Sequence, residues 1–86
     1  MNTTFILLAQ YGATAVIPLD QVCRDYFPHL KTDKLLAKVS AGEIDLPIVR
    51  IEGSQKSAKG VTVLALADYI DRRAAAAEKE CAQLRS

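Results

Sequence analysis

Residues 53–60 read Gly53-Ser54-Gln55-Lys56-Ser57-Ala58-Lys59-Gly60, a small polar loop that carries two lysines and no acid. The apolar run at residues 46–51 precedes this loop, and the run at residues 61–63 follows it. Apolar runs on both sides of a polar, glycine-containing loop are typical of a β-hairpin. Because two short helical patterns come before the hairpin, this order of elements predicts a winged helix-turn-helix.

The loop does not match a nucleotide-binding P-loop. That motif has four residues between its glycines and then Lys followed by Ser or Thr. Here residues 54–59 separate Gly53 from Gly60, and Val61 follows. The hairpin tip instead predicts contacts to a nucleic-acid backbone, with a solvated surface loop as the alternative. The expected contacts are to phosphate from two lysines and to phosphate or sugar from three hydrogen-bonding side chains: Lys56, Lys59, Ser54, Gln55 and Ser57.

Residues 19–27 form the first of the two helical patterns. Five apolar or aromatic residues share one face at three- and four-residue spacing: Leu19, Val22, Cys23, Tyr26 and Phe27. Pro28 ends this helix. The short connection at residues 28–31 is of the length that a helix-turn-helix uses.

Residues 32–41 form the second helical pattern, with Thr32 as the predicted N-cap and Gly42 as the C-terminal glycine. Leu35, Leu36 and Val39 face inward. The outward positions are small, acidic or basic: Asp33, Lys34, Ala37 and Ala41, with Lys38 and Ser40 at the flanks. Such a face fits the major groove of DNA, and it also fits an ordinary solvated face.

This second helix therefore supplies the predicted base-reading residues. Lysine can donate to guanine in the major groove, which makes Lys34 the first candidate. The remaining candidates on and beside the helix are Lys31, Thr32 and Lys38. Arg50, on the strand that leads into the hairpin, either points to the DNA side or pairs with Glu52 or Glu43.

The N-terminal residues allow two interpretations. Thr3 or Thr4 caps a helix that runs to Tyr11 and ends at Gly12, or the apolar residues 5–9 form a buried strand. A small strand follows at residues 15–17 and ends at Pro18. Pro47 predicts that the strand after it lies at a sheet edge, because proline cannot donate to a β-ladder.

The C-terminal helix, roughly residues 64–84, carries an apolar seam with alternating spacings of four and three residues. This is the a/d pattern of a coiled coil. The seam predicts a dimerisation surface that includes Val63, Ala67, Ile70, Ala74, Ala77, Cys81 and Leu84. Either the N-terminal helix covers the seam within one chain or a second copy covers it.

Composition and charge set limits on function. The 86 residues suffice for one domain, with residues 63–86 as its C-terminal helix, and the formal net charge of +1 excludes a uniformly basic phosphate binder. No run of apolar residues approaches the ~18 of a membrane span, so we expect a cytoplasmic, nucleoid-associated protein. Cys23 and Cys81 fit no metal-ligand spacing, and we expect both to be reduced, buried or interfacial thiols.

Nothing in the sequence predicts an enzyme, a metal site or a cofactor. His29 is the only histidine, and no nucleophile or orienting partner accompanies it in the sequence. A turn histidine that makes a local hydrogen bond is the expected role. Most acidic residues lie on predicted polar helix faces, which does not indicate a pair of catalytic carboxylates.

Four segments resemble the pyocin activator protein PrtN family: residues 9–12, 22–27, 52–61 and 66–71, of which the loop at 53–60 is the most specific. The resemblance implies a small transcriptional activator. Such proteins bind a promoter-proximal DNA element and switch on bacteriocin or prophage-like gene clusters, typically downstream of the DNA-damage response. The family supplies no residue-level DNA contacts, so the predicted sites rest on the winged-helix pattern alone.

The combined prediction is an α+β protein: one winged helix-turn-helix domain over residues 1–86, with a two- to three-stranded sheet and a long C-terminal helix. Its expected partners are a double-stranded DNA promoter element and a second copy of itself, with RNA polymerase as a further candidate and no membrane. Two alternatives stay open. One is an excisionase-like architectural DNA-binding protein, and the other is a protein-interaction module that acts through its C-terminal helix.

Overall fold

The structure, a computed structural model, describes residues 2–54 and 56–86. These residues form four helices and three strands, which confirms the α+β class. The elements in chain order are α1 (Thr3–Tyr11), β1 (Val16–Pro18), α2 (Leu19–Tyr26), α3 (Thr32–Ser40), β2 (Val49–Arg50), β3 (Lys59–Thr62) and α4 (Val63–Arg85). The arrangement is compatible with a winged helix-turn-helix.

The three strands form an antiparallel sheet in the order β1-β3-β2. The strand after Pro47 is therefore an edge strand, as predicted. The first strand of the hairpin is shorter than the apolar run at residues 46–51 suggested, because β2 has only two residues. The second strand ends at Thr62 and α4 begins at Val63, as predicted. Gly60 lies within β3 and pairs with Val49 and Pro18, whereas the sequence suggested that it closes the loop.

Residues 5–9 lie in a helix, so the strand alternative for the N-terminal segment is wrong. The predicted caps are also wrong. Asn2 caps α1, since its side chain accepts hydrogen bonds from the amides of Thr4 (2.9 Å) and Phe5 (3.4 Å). Thr3 instead donates its hydroxyl to Asp71 on α4 at 2.6 Å. Gly12 ends the helix in the left-handed region at φ 71°, as expected for a C-terminal glycine.

At α3 the N-cap is Lys31, whose side chain makes no capping hydrogen bond, and Thr32 is the first helical residue. The prediction that Thr32 caps this helix is therefore wrong. Gly42 follows the C-cap Ala41 with φ 76°. Its amide donates to Val39 and the next amide donates to Lys38, so the helix ends with its last carbonyls paired.

The core lies where the sheet meets the four helices. The largest fully buried side chains come from α1, β1, α2, α3, the segment before β2, β3 and α4: Leu7, Ile17, Val22, Leu35, Leu46, Val61 and Leu66. Cys23 is buried among them, and its thiol donates to the Leu30 carbonyl at 3.1 Å. All four helices, β1 and β3 therefore contribute to one core, and α1 packs against α4 within the chain.

Two tyrosines join α1 to α2. The Tyr11 hydroxyl donates to Asp25 at 2.6 Å, and the Tyr26 hydroxyl donates to Gln10 at 2.8 Å. The hydrogen bonds from Tyr11 and Arg24 lower the pKa of the Asp25 carboxyl. Burial, with the hydrogen bond to Asp25 second, raises the pKa of Tyr11. This network fixes the helix pair α2–α3 relative to the N-terminal helix.

Candidate nucleic-acid interface

The exposed face of α3 consists of small and charged residues. Asp33, Lys34, Ala37 and Ser40 are exposed, as is Ala41 at the C-cap, while Leu35 is fully buried. At about 100° per residue, these positions occupy one continuous face. This confirms the orientation of α3 predicted from the sequence: small and charged residues face outward, and the outward face contains no large apolar side chain.

One open groove joins this helix to the base of the hairpin. Its volume is about 370 Å³, and Thr32 and Leu36 of α3 line one side while residues 57–59 line the other. Leu19 and Asp20, at the start of α2, complete the groove. We call it the wing groove, and we call residues 51–58, which connect β2 to β3, the wing. The groove places the first turn of α3 beside the wing.

Two cationic side chains lie opposite each other at the base of the wing. Arg50 and Lys59 are direct partners in the antiparallel ladder. Directly opposed side chains point to the same face of a sheet, and like charges at such positions repel. Lys59 also lines the wing groove, and its ammonium donates to the Ser57 carbonyl at 3.5 Å. Both cations therefore lie at the base of the wing, on one face of the sheet.

Local hydrogen bonds shape the wing. The Ser54 hydroxyl oxygen accepts from the Lys56 amide at 3.1 Å, and the Ser57 hydroxyl donates to the Glu52 carbonyl at 3.2 Å. The Ser57 hydroxyl therefore ties the end of the loop back to its start, and the Ser54 hydroxyl oxygen is occupied by a local turn. Lys56 is exposed. The predicted contact Gln55 lies outside the described residues.

The remaining predicted DNA contacts fall at different places. Lys31, the N-cap residue of α3, and Lys34 in the first turn of that helix are both exposed. Arg50 forms no ion pair with either Glu52 or Glu43 in the described part of the chain. Lys38 is half-buried on the side of α3 away from the wing groove, and its ammonium lies 4.0 Å from Glu43. The structure thus brings Thr32, Arg50 and Lys59 together with the wing and separates Lys38 from them.

The predicted dimerisation seam divides into two parts. Val63 and Ala67 are almost fully buried in the core of the same chain, so they offer little surface to a partner. Ile70 is half-buried. The exposed members are Ala74, Ala77, Cys81 and Leu84, and Leu84 is 87% exposed. We call Ile70 and these four residues the tail seam.

A second apolar surface lies between α1 and the start of α4. A groove of about 430 Å³ there is lined by Leu8, Val16, Val63 and Leu64 together with Ala15 and three threonines. Leu64 at its edge is 71% exposed, and Phe5 on α1 is 70% exposed. Both terminal helices therefore present apolar side chains to solvent.

Sequence reasoning missed two arginine roles on α4. Arg72 donates to Asp68 at 2.9 Å, to the Asp45 carboxylate at 2.8 Å and to the Asp45 carbonyl at 2.9 Å, and it lies over the Tyr69 ring. Arg73 forms no such bonds within the described residues and lines a groove beside Lys38. The spacing of four residues between Asp68 and Arg72 could have predicted the ion pair between them.

None of the described helices has the length and apolar character needed to cross a bilayer. No curated protein and no solved structure matches the chain. A sequence model for "Pyocin activator protein PrtN" matches residues 3–77 of the 86 residues. This match includes α1, α2, α3, the whole sheet and more than half of α4. The chain therefore belongs to the pyocin activator protein PrtN family, whose members are regulators of pyocin genes rather than enzymes.

Proposed function

We propose that this protein is a transcriptional activator that binds a promoter element of pyocin or prophage-like genes as a dimer. The observation that carries the proposal is the wing groove, where the first turn of α3 and a basic hairpin meet. A duplex seated on α3 would have its backbone beside the wing. Family membership supplies the regulatory context and the class of gene.

The exposed face of α3 suits the major groove of B-DNA, which is about 12 Å wide and admits one helix. Ala37 and Ala41 let the helix backbone approach the bases closely. Lys34 can donate to guanine, and Asp33 can accept from the amino group of cytosine. The two charges of opposite sign favour sequence discrimination over general affinity for DNA.

The wing supplies cations for the backbone. Lys56 is exposed on the loop, and Arg50 and Lys59 oppose each other at its base. A phosphate at this face would receive charge-assisted contacts from Arg50 and Lys59. Because phosphate contacts carry no sequence information, these residues should raise affinity for every duplex.

Dimerisation through α4 places two copies of α3 on one element. The tail seam and the apolar groove beside Leu64 are the exposed surfaces that support it. Residues 74–85 extend beyond the core of the chain, so a partner that covers the tail seam would add packing contacts that this half of α4 lacks. We expect Leu84→Glu to weaken the dimer in sedimentation analysis. Gln83→Glu, which adds the same charge beside the seam, is the control and should leave it intact.

The proposal is tested by binding to a promoter fragment and a scrambled fragment across a salt series. We expect Lys34→Ala to reduce the preference for the promoter. Lys56→Ala should weaken binding to both fragments equally and reduce the salt slope by about one per lost contact. Lys79→Ala, on the exposed tail of α4, is the matched control and should bind as the unmodified protein does.

Two results would contradict the proposal. Absence of binding at low salt, with the fold intact, would exclude a DNA-binding function. An unchanged preference for the promoter fragment in Lys34→Ala would exclude α3 as the base-reading helix.

The second candidate function is a protein-interaction module, and the exposed tail seam is the observation that supports it. Loss of activity in Leu84→Glu with normal DNA binding would favour it.

A further inference from the structure

A second groove borders α3 on the side away from the wing. Its volume is about 440 Å³, and it is lined by His29 in the turn between α2 and α3, by Lys38 of α3 and by Arg73 of α4. The exposed face of α3 lies between this flanking groove and the wing groove, because Lys38 and Leu36 project from opposite edges of that face. Three nitrogen-bearing side chains from three parts of the chain thus meet here.

Arg73 differs from its neighbour Arg72 in what it binds. Arg72 is fully engaged with Asp68, Asp45 and Tyr69. Arg73 is exposed, and no ion pair joins it to another described residue. An arginine that lines a groove without a carboxylate partner has its planar set of donors available for an anion such as phosphate.

We propose that the flanking groove binds the second strand of the DNA duplex through its phosphates, with Arg73 and Lys38 as the main contacts and His29 at the rim. The inference rests on the proposed DNA-binding function and extends it to α4. The major groove of B-DNA is about 12 Å wide and has one phosphate strand at each edge. A helix seated in that groove can have phosphates on both sides, and the wing supplies cations on one side only.

Glu43 regulates the charge of this groove. It is the single acid among the described residues that line it, and its carboxylate lies 4.0 Å from the Lys38 ammonium. In the free protein Glu43 partly neutralises Lys38, and a bound phosphate would compete with it. Removing the Glu43 charge should therefore strengthen DNA binding, an effect that damage to the fold cannot produce.

The chemistry of the groove favours phosphate over an acidic peptide. Its aromatic rings already have partners within the chain, since Phe27 packs on Tyr69 at 5.9 Å and the Tyr26 hydroxyl binds Gln10. Peptide recognition depends on apolar or aromatic anchors that enter a pocket. The cations are what remain available, and they lie next to the face that we assign to the bases.

The test measures DNA affinity across a salt series for Arg73→Gln and Glu43→Gln. We expect Arg73→Gln to weaken binding to promoter and scrambled duplexes by the same factor and to reduce the salt slope by about 0.9. Glu43→Gln should tighten binding to both duplexes. Arg85→Gln, which removes the same charge from the exposed end of α4, is the control and should change neither quantity.

The possible outcomes separate this inference from the proposed function. Promoter binding by the unmodified protein, with Arg73→Gln and Glu43→Gln both indistinguishable from it, would overturn the inference alone. Normal DNA binding by Arg73→Gln with loss of promoter activation in a purified transcription system would also overturn it and would assign the groove to a protein partner. Failure of the unmodified protein to bind DNA would overturn both.

Discussion

At Gly60 the backbones of β1 and β3 approach so closely that a β-carbon would lie 2.6 Å from the Ile17 carbonyl oxygen and 2.6 Å from Val16 Cγ1. One of these neighbours is main chain, so the strands would have to separate. Gly53, at the start of the loop, has nothing within 4 Å of such a β-carbon. The two glycines that bracket the loop in the sequence thus have different roles.

We expect Gly60→Ala to destabilise the protein by about 1–3 kcal/mol, because an added methyl group must displace the backbone of β1. Gly53→Ala should change the free energy of unfolding by less than about 0.5 kcal/mol, as is usual for open surface positions. Urea denaturation of the two variants measures the difference. Equal stabilities would contradict the close approach of the strands.

Asp25 makes the folded state sensitive to acid. Its pKa is held below the ordinary value of 3.8, first by the hydrogen bond from Tyr11 and then by that from Arg24. A carboxyl whose pKa is lower in the folded state stabilises the fold above the unfolded pKa. That contribution is lost as the pH falls through the folded pKa.

We expect Tyr11→Phe to return the pKa of Asp25 toward its ordinary value, as measured by NMR titration of the carboxyl carbon. Tyr26→Phe is the matched control, since the Tyr26 hydroxyl binds Gln10 instead. Asp25→Asn should remove the part of the stability loss at low pH that comes from protonation of Asp25. An Asp25 pKa that is the same in Tyr11→Phe and the unmodified protein would show that the hydrogen bond is not formed in solution.

At the scale of elements, the junction between β3 and α4 contains no loop. Thr62 ends the strand and caps the helix, since its hydroxyl accepts from the Ala65 amide at 3.0 Å.

We expect Thr62→Ala to lower the free energy of unfolding by about 1 kcal/mol, the usual effect of losing a cap. Thr62→Ser keeps the hydroxyl and should retain most of that stability. Thermal unfolding followed by circular dichroism compares the two. Equal losses in both variants would assign the effect to the lost methyl group instead.

The sequence predicted the order of elements because glycine, proline and apolar spacing act locally. Pro28 and Gly42 delimit α2 and α3, and the fold follows these boundaries closely. The N-caps were harder to predict, because Asn2, Thr3 and Thr4 all have suitable side chains. Thr3 instead binds Asp71 of α4, a contact between residues distant in the sequence that local pattern does not reveal.

The same reason explains which parts of the candidate site were missed. The wing lysines and the face of α3 are contiguous in sequence, so pattern and spacing identified them. Arg73 and Glu43 reach the flanking groove only through the packing of α4 against the segment after α3. The sequence also could not predict that Val63 and Ala67 are buried within the chain, because a coiled-coil seam and a core-facing stripe have the same residue spacing.

At the scale of the whole molecule, Arg72 joins α4 to the segment between α3 and β2. We expect Arg72→Gln to lower the free energy of unfolding by about 1 kcal/mol at low salt. Each exposed ion pair is weak on its own, but Arg72 makes two of them and also donates to the Asp45 carbonyl. Added salt should reduce the difference. Arg73→Gln is the control for stability and should unfold as the unmodified protein does. A salt-independent loss in Arg72→Gln would assign its effect to packing on Tyr69.

The attachment through Arg72 has a thermodynamic consequence. Residues 74–85 extend α4 beyond the core, and Asp45 follows α3 by only a few residues. A partner that shifts α4 as a rigid helix would therefore also move the segment that follows α3. Suppose that dimerisation through the tail and binding of DNA both favour the same arrangement of these two elements. Dimerisation then increases the affinity for DNA, and DNA increases the affinity between the two copies by the same factor. Such a protein would respond to its own concentration more steeply than a single binding equilibrium allows.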